Sequence, residues 1–182
     1  MRLFIGIAIP TDIRVTLGSL CSGVPGARWV RADSMHVTLR FVGEIDNSAA
    51  IDLDTTLENI NGQAFKMSLS ETGCFSSKSK VRALWVGVEG GDSLRRLQFK
   101  VERAVQYAGF KPEGRKFKPH VTLARFMGNT RPIDLAHYLE HNSTFATETF
   151  LVEGFTLFEI HIGENGADYI ALKDYSLLKE KL

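Results

Sequence analysis

The sequence predicts one α+β domain with a largely antiparallel sheet. Its length of 182 residues is about that of an ordinary domain, and 44% of the residues are hydrophobic, which is enough for a sizeable core. Segments with the two-residue hydrophobic period of strands are interspersed with segments of helical period, in a mixed order without a regular strand, helix, strand repeat. We therefore treat residues 1–182 as a single domain.

The first third of the chain is predicted to alternate between strands and helices. Hydrophobic alternation predicts a strand over residues 3–9, and Pro10 opens a short helix directly after it. Strand-forming residues follow over 28–43. Beyond a polar turn, hydrophobic residues spaced three and four apart predict a second helix over 50–60.

The middle of the chain is predicted to form two strands and an amphipathic helix. The strands cover 65–69 and 84–88, on either side of a basic loop over 76–80. Ser93 is predicted as the N-cap of the helix, because its hydroxyl can accept a backbone hydrogen bond there. Gly109 follows the last hydrophobic position, as expected of a residue just past a helix end.

The last third is predicted to add three strands and one short helix. A strand covers 117–126, and Pro132 begins a helix that ends near His141. Two late strands cover 150–162 and 169–172. The strands outnumber the helices, which favours an antiparallel α+β arrangement.

The charge distribution indicates a polyanionic partner. The net charge is only +1, but residues 76–125 carry 12 basic and 4 acidic side chains, whereas the segments before and after are acidic. Such asymmetry is typical of proteins that bind polyanions, although a solvated surface is the simpler interpretation.

The cysteines and the hydropathy pattern indicate a cytoplasmic location and no membrane partner. Cys21 and Cys74 are far apart and form no disulfide framework. The apolar run over 3–9 has no cleavage-site pattern, and no segment approaches the roughly 20 apolar residues that span a bilayer.

The most specific feature is the tetrapeptide His-Val-Thr-Leu, which occurs twice, beginning at His36 and at His120. Within a strand, the His and Thr of each copy share a face about 6 to 7 Å apart, while Val and Leu point into the core. One copy alone is simply a good strand sequence. Two identical copies indicate a duplicated unit whose strands bring His36, Thr38, His120 and Thr122 to one cleft.

Two histidines around one atom suit the cleavage of a phosphodiester. A neutral imidazole takes a proton from the attacking water, and a protonated one gives a proton to the leaving oxygen on the opposite side of phosphorus. The hydroxyls of Thr38 and Thr122 are expected to donate hydrogen bonds to the non-bridging oxygens. This chemistry requires no metal, and we expect no cofactor.

The paired motifs and their surroundings resemble the 2H phosphoesterase superfamily and, within it, the RNA 2′,3′-cyclic phosphodiesterases, also called 2′-5′ RNA ligases. The similarity includes Trp29 ahead of the block 35–43, the block 117–125, the strand 84–88 and the segment 163–169. It therefore covers nearly the whole chain.

This resemblance implies a bilobal fold with an approximate two-fold axis, in which two mostly antiparallel sheets with outer helices enclose a central cleft. It implies that a 2′,3′-cyclic phosphate at an RNA end is opened to a 2′-phosphate, with possible reversible 2′-5′ ligation. It also implies that His36 is the proton donor and His120 the proton acceptor. The two histidines are equivalent by every local criterion of the sequence.

Two arginines are further candidates. The resemblance implies that Arg125 contacts the phosphate, yet strict alternation from His120 places it on the core side. Either the strand ends or bulges after Leu123, or Arg125 does not touch the substrate. Arg40 shares parity with His36 and is expected either to reach a second phosphate or to form a salt bridge.

Two alternative functions stay open. One is a non-catalytic module that binds RNA ends. The other is a zinc hydrolase, because residues 137–141 spell H-x-x-E-H on a short predicted helix with His137 and His141 on one face. The preferred interpretation is a metal-independent monomeric enzyme whose partners are RNA ends or small cyclic nucleotides.

Overall fold

A computed structural model of the chain describes residues 1–163 and 166–178. Residues 164 and 165 of the segment 163–169 lie outside the described part. The strands and helices are β1 (Arg2–Ala8), α1 (Thr11–Gly18), β2 (Arg28–Trp29), a 3-10 turn (Ala32–Ser34), β3 (His36–Glu44), α2 (Asn47–Glu58), β4 (Phe65–Ser77), β5 (Lys80–Glu89), α3 (Gly91–Tyr107), β6 (His120–Arg125), a 3-10 turn (Pro132–Leu135), α4 (Ala136–His141), β7 (Phe150–Val152), β8 (Gly154–Gly163) and β9 (Gly166–Ser176).

The predicted α+β class is confirmed. In the described residues, eight strands follow the order β7-β4-β5-β6-β3-β1-β8-β9, with β2 paired to β6, and every named pair is antiparallel. The two halves expected from the sequence meet at β3 and β6, where Val37 pairs with Val121. The two expected sheets are thus joined at their centre into one curled sheet.

The helices α2 and α3 cover the sheet face that carries the valines and leucines of the two motifs. Val37 and Val121 belong to the same buried cluster as Leu57 of α2 and Leu97 and Val101 of α3. The basic outer side of α3 therefore lies beyond the core, on the opposite side of the sheet from the motif histidines. The excess positive charge of residues 76–125 is consequently divided between two surfaces.

Several predicted boundaries differ from the structure. The loop over 76–80 is a tight turn at Lys78 and Ser79, both with positive φ, because β4 and β5 extend as one long hairpin. Ser93 is not the N-cap of α3, since the helix already begins at Gly91, where a positive φ permits a sharp change of direction after β5. Gly109 follows the helix end as predicted.

Cys21 and Cys74 are free and half-buried, as expected. Among the described residues, no helix has the length and hydropathy needed to cross a membrane. The assignment of 1–182 to a single domain stays a prediction.

Candidate active site

Both motifs lie at the junction of the two halves of the sheet. His36 and His120 are the first residues of β3 and β6, and Val37 pairs with Val121. In an antiparallel register through that pair, position 36 is opposite position 122 and position 38 is opposite position 120. The His and Thr of both motifs therefore share the sheet face opposite the core, with each His beside the Thr of the other motif.

Each histidine is held in the same way by the backbone that precedes it. His36 Nδ1 lies 2.8 Å from the carbonyl oxygen of Ser34, and His120 Nδ1 lies 2.7 Å from that of Lys118. Because a carbonyl only accepts, Nδ1 of each ring must carry the hydrogen. These bonds fix the tautomer and leave both Nε2 atoms for proton transfer.

His36 lies among three aromatic rings. The ring centroids of Phe4, Tyr169 and Phe158 are 4.5, 4.9 and 6.0 Å from that of the imidazole. This burial lowers the pKa of His36 from 6.5 to about 4, against the bond to Ser34 and with smaller contributions from the positive charges of Arg125 and His120. In the free protein, His36 is therefore neutral at pH 7.

His120 has a similar but less enclosed environment. Phe75 packs edge-on with its ring centroid 4.8 Å away, and Trp85 lies at 6.4 Å. Burial lowers the pKa of His120, as does the charge of Arg125, while the hydrogen bond to the Lys118 carbonyl acts in the opposite direction.

The hydroxyls of Thr38 and Thr122 complete the central group. Both side chains are half-buried. Neither hydroxyl has a hydrogen-bond partner within residues 1–163 and 166–178. Both hydroxyls are therefore free to bind a ligand placed between the histidines.

Arg125 lies on the face of the histidines because β6 contains a bulge. Trp85 pairs with Thr122 but Leu84 pairs with Ala124, which leaves Leu123 as an extra residue and reverses the alternation after it. Leu123 and Ala124 are buried, and Arg125 is exposed. Its positive charge lowers the pKa of both histidines, so the guanidinium lies near them.

A bulge at the equivalent position of β3 has the opposite consequence for Arg40. Gly6 pairs with Thr38 and Ile5 pairs with Arg40, so that Leu39 is the extra residue. Arg40 therefore faces the core and not the cleft, and the expectation from parity of a second phosphate contact is wrong. Its side chain is only 9% exposed, and Nε lies 2.5 Å from Glu102 Oε2 of α3.

The salt bridge that was the other expectation for Arg40 is present, and it is buried. Glu113 provides a second carboxylate at 3.7 Å, and Arg40 Nη2 donates to the carbonyl of Lys111 at 2.6 Å. This network ties β3 to the loop that leads into the second motif.

The H-x-x-E-H sequence lies apart from this site. His137 and His141 share one side of α4, with ring centroids 6.4 Å apart, and border a surface depression with Ser22 and Val24. Within the described part of the chain, no group of three or more His, Cys, Asp or Glu side chains is arranged to hold a metal ion.

The comparison with known families agrees with the duplicated architecture. The model of the family described as LigT like phosphoesterase matches residues 7–85 and again residues 86–166, so each match contains one His-x-Thr motif. The chain belongs to the LigT-like phosphoesterase family. The two matches do not coincide with the two halves of the sheet, because β4 of the first match lies in the half that contains β6, and β8 of the second match pairs with β1.

Curated relatives in this family share one description, RNA 2′,3′-cyclic phosphodiesterase. The protein of Aeropyrum pernix is 41% identical over 59% of this chain and 61% of its own length. That of Archaeoglobus fulgidus is 30% identical over 69% and 72%. The Methanocaldococcus jannaschii protein is 25% identical over 96% of this chain and 100% of its own. The chain thus spans less than two thirds of the first relative and all of the third.

Solved structures have the same fold. Escherichia coli LigT complexed with 3′-AMP superposes with a TM-score of 0.77 at 26% identity, covering 97% of each chain. A Thermus thermophilus protein superposes with a TM-score of 0.81 at 23% identity over all of both chains, which bears on the fold alone.

The sequence did not reveal the aromatic walls of the LigT-like site. Phe4, Phe158 and Tyr169 come from strands at the two ends of the chain, and Phe75 comes from the long hairpin. Both faces of β1 are buried, so its alternation predicts a strand but does not show that Phe4 faces the cleft. The bulge after Leu123 is the one of these features that the sequence pattern indicates, as one of the two alternatives for Arg125.

Proposed function

We propose that this chain opens the 2′,3′-cyclic phosphate at an RNA end to a 2′-phosphate by two-histidine general acid–base catalysis. The observation that carries the proposal is the pair of identically tethered histidines, whose free Nε2 atoms share one sheet face with Arg125. The relatives described as RNA 2′,3′-cyclic phosphodiesterases support this substrate class.

In the proposed reaction, the cyclic phosphate lies between the two histidines. Neutral His120 accepts a proton at Nε2 from a water molecule, whose oxygen forms a new bond to phosphorus. The bond from phosphorus to the 3′ oxygen breaks, and Nε2 of protonated His36 gives that oxygen a proton. The products are a 2′-phosphate and a 3′ hydroxyl; His120 is left protonated and His36 neutral, and proton exchange with solvent restores both rings for the next turnover.

The other polar groups of the cleft bind the phosphate. The hydroxyls of Thr38 and Thr122 donate hydrogen bonds to the non-bridging oxygens, and Arg125 compensates their negative charge. Because aromatic rings shield the site from water, these groups stabilise the charge that accumulates in the transition state more strongly than water does.

The roles of donor and acceptor follow the family resemblance, and the pKa shifts bear on them. Of the two histidines, His36 has the more strongly lowered pKa in the free protein, which opposes a role as proton donor. Binding of the phosphate anion removes this obstacle, because its negative charge favours the protonated ring.

A cyclic substrate with sulfur in place of the 3′ bridging oxygen distinguishes the two assignments, because a thiolate leaves without a proton. We expect His36→Ala to recover activity on this substrate and His120→Ala not to recover it. The opposite result reverses the two roles.

The same site supports 2′-5′ ligation if the attacking water is replaced by the 5′ hydroxyl of a second RNA. His120 then accepts the proton of that hydroxyl, and the rest of the reaction is unchanged. Incubation of cyclic-ended RNA with a 5′-hydroxyl RNA tests this extension, with a 2′-5′ linked product as the expected outcome.

Turnover of an RNA oligonucleotide with a 2′,3′-cyclic end tests the main proposal. We expect the wild type to yield only a 2′-phosphate, and His36→Ala and His120→Ala each to lower kcat by at least about a hundredfold. His161→Ala is the matched control, because that exposed histidine is paired with Glu159 on β8. A wild type that binds the RNA without cleaving it supports a non-catalytic module instead.

A chelator tests the zinc alternative in the same assay. Full activity in chelator, together with unchanged activity of His137→Ala, is the result expected for catalysis by His36 and His120. The proposal also includes a cytoplasmic monomer that acts on RNA ends or on small cyclic nucleotides.

A further inference from the structure

A second arginine lies beside Arg125 on the cleft face of the sheet. Arg28 of β2 pairs with Arg125 of β6, and Trp29 pairs with Ala124. Residues paired across two strands share a face, with Cβ atoms about 4.5 to 5.5 Å apart. Trp29 packs against the core with Ala124, which independently places Arg28 on the other face with Arg125.

Arg28 is exposed and has no counter-ion among residues 1–163 and 166–178. Like charges directly opposite each other on a sheet are unfavourable. The next arginine of the same segment is different, because Arg31 is paired with Asp33 at 2.6 Å and with Asp168 at 2.9 Å. The chain therefore neutralises Arg31 and leaves two adjacent cations, Arg28 and Arg125, at the edge of the cleft.

The two cations differ in their distance from the reacting centre. Arg28 is opposite Arg125, three positions further along β6 than Thr122, the residue opposite His36, whereas Arg125 is close enough to lower the pKa of both motif histidines. Arg28 is thus displaced along the cleft, away from the place where the cyclic phosphate is bound. A ligand that satisfies both guanidinium groups must carry negative charge at two positions.

We propose that Arg28 binds the phosphate that joins the terminal nucleotide of the RNA to its neighbour, while Arg125 binds the terminal cyclic phosphate. This inference rests on the proposed function of the cleft. It makes a chain of at least two nucleotides the preferred substrate, because a mononucleoside 2′,3′-cyclic phosphate has no second phosphate for Arg28. Arg28 is then a specificity residue that does not touch the reacting atoms.

Two substrates separate this role from a contact with the cyclic phosphate. One is a mononucleoside 2′,3′-cyclic phosphate, and the other is a dinucleotide with the same cyclic end. We expect Arg28→Gln to lower kcat/KM for the dinucleotide about tenfold, the loss of one charge-assisted contact at an exposed site, and to change turnover of the mononucleoside less than about twofold. Equal effects on both substrates, or no effect on either, overturn the proposal.

Two further variants control for charge. Arg95→Gln removes the same charge from the outer side of α3, where it pairs with Asp92, and is expected to leave the dinucleotide preference unchanged. Arg28→Lys keeps the charge and is expected to restore part of the preference. A preference that falls equally in Arg95→Gln and Arg28→Gln reflects general electrostatics and overturns the specific role of Arg28.

Binding keeps the test independent of catalysis. We expect the Kd of a dinucleotide with a 2′-phosphate end to rise about tenfold in Arg28→Gln, with a decrease of about 0.7 in the slope of log Kd against log salt concentration. If the wild type hydrolyses neither substrate, the proposed function fails, and this measurement still decides whether Arg28 binds the second phosphate. Unchanged affinity and an unchanged salt slope overturn it.

Discussion

The pH dependence of kcat/KM is expected to reveal how strongly burial shifts the two histidines. The pKa of His36 is lowered from 6.5 to about 4, so that at pH 7 only about one molecule in a thousand carries a protonated His36. Adding that proton at pH 7 costs about 4 kcal/mol, which the bound phosphate must offset. The pKa of His120 is lowered as well.

Since kcat/KM reports the ionisation of the free enzyme, its optimum is expected below pH 6.5. With both pKa values lowered, the form with one protonated and one neutral histidine is most abundant in acid, and kcat/KM falls about tenfold per pH unit once both rings are neutral. The optimum of kcat is expected at higher pH, because the negative charge of a bound phosphate raises both pKa values. The assay is initial-rate hydrolysis of a cyclic-ended dinucleotide from about pH 5 to about pH 9.

Arg125 provides the variant that tests the electrostatic reasoning. Its charge lowers the pKa of both histidines, so Arg125→Gln is expected to move the kcat/KM optimum to higher pH and to lower the maximum about a hundredfold through loss of a phosphate contact. Arg125→Lys retains the charge and is expected to keep the optimum. A wild-type kcat/KM that is constant between about pH 6.5 and about pH 8.5 would refute the reasoning.

Three further predictions concern stability. His36 is protonated more readily in the unfolded chain than in the folded one, so its contribution to the free energy of unfolding is complete above pH 6.5 and is lost as the pH falls towards about 4. Urea unfolding should show about 2 kcal/mol of this loss between pH 7 and pH 5 in the wild type, and none of it in His36→Asn. Arg40→Ala removes the cation that is paired with Glu102 and is expected to lower the free energy of unfolding by about 3 to 5 kcal/mol. The double variant with Met at both position 40 and position 102 should recover most of this loss. Gly73→Ala places a Cβ 2.3 Å from the ring of Trp85 and should cost about 1 to 3 kcal/mol in thermal unfolding.

The sequence was sufficient for the central part of the site because alternation within a strand is a local property. His36 and Thr38 share a face over a single two-residue step, and the same holds for His120 and Thr122. No distant contact is needed for that inference. The helix end at Gly109 is local in the same sense.

The faces on which Arg40 and Arg125 lie could not be predicted from alternation, because a bulge depends on the pairing with the partner strand. An extra residue at Leu39 and at Leu123 appears only in the pairing of β3 with β1 and of β6 with β5. Each bulge reverses the alternation of the residues directly after it, which moves Arg125 to the cleft and Arg40 to the core. The pairing of Arg28 with Arg125 is likewise a contact between residues almost a hundred positions apart.

The two bulges also explain how identical motifs come to have different surroundings. Counting past the extra residue, the position of Arg125 in the second half corresponds to Phe41 in the first, and that of Ala124 corresponds to Arg40. The backbone repeats, but at this position the first half has an aromatic ring and the second has a cation. His36, enclosed by more aromatic rings, is the more strongly neutralised of the two histidines. In the proposed reaction, a phosphate bound towards Arg125 therefore meets two chemically distinct imidazoles, and their proposed roles as donor and acceptor depend on neighbours outside the tetrapeptides.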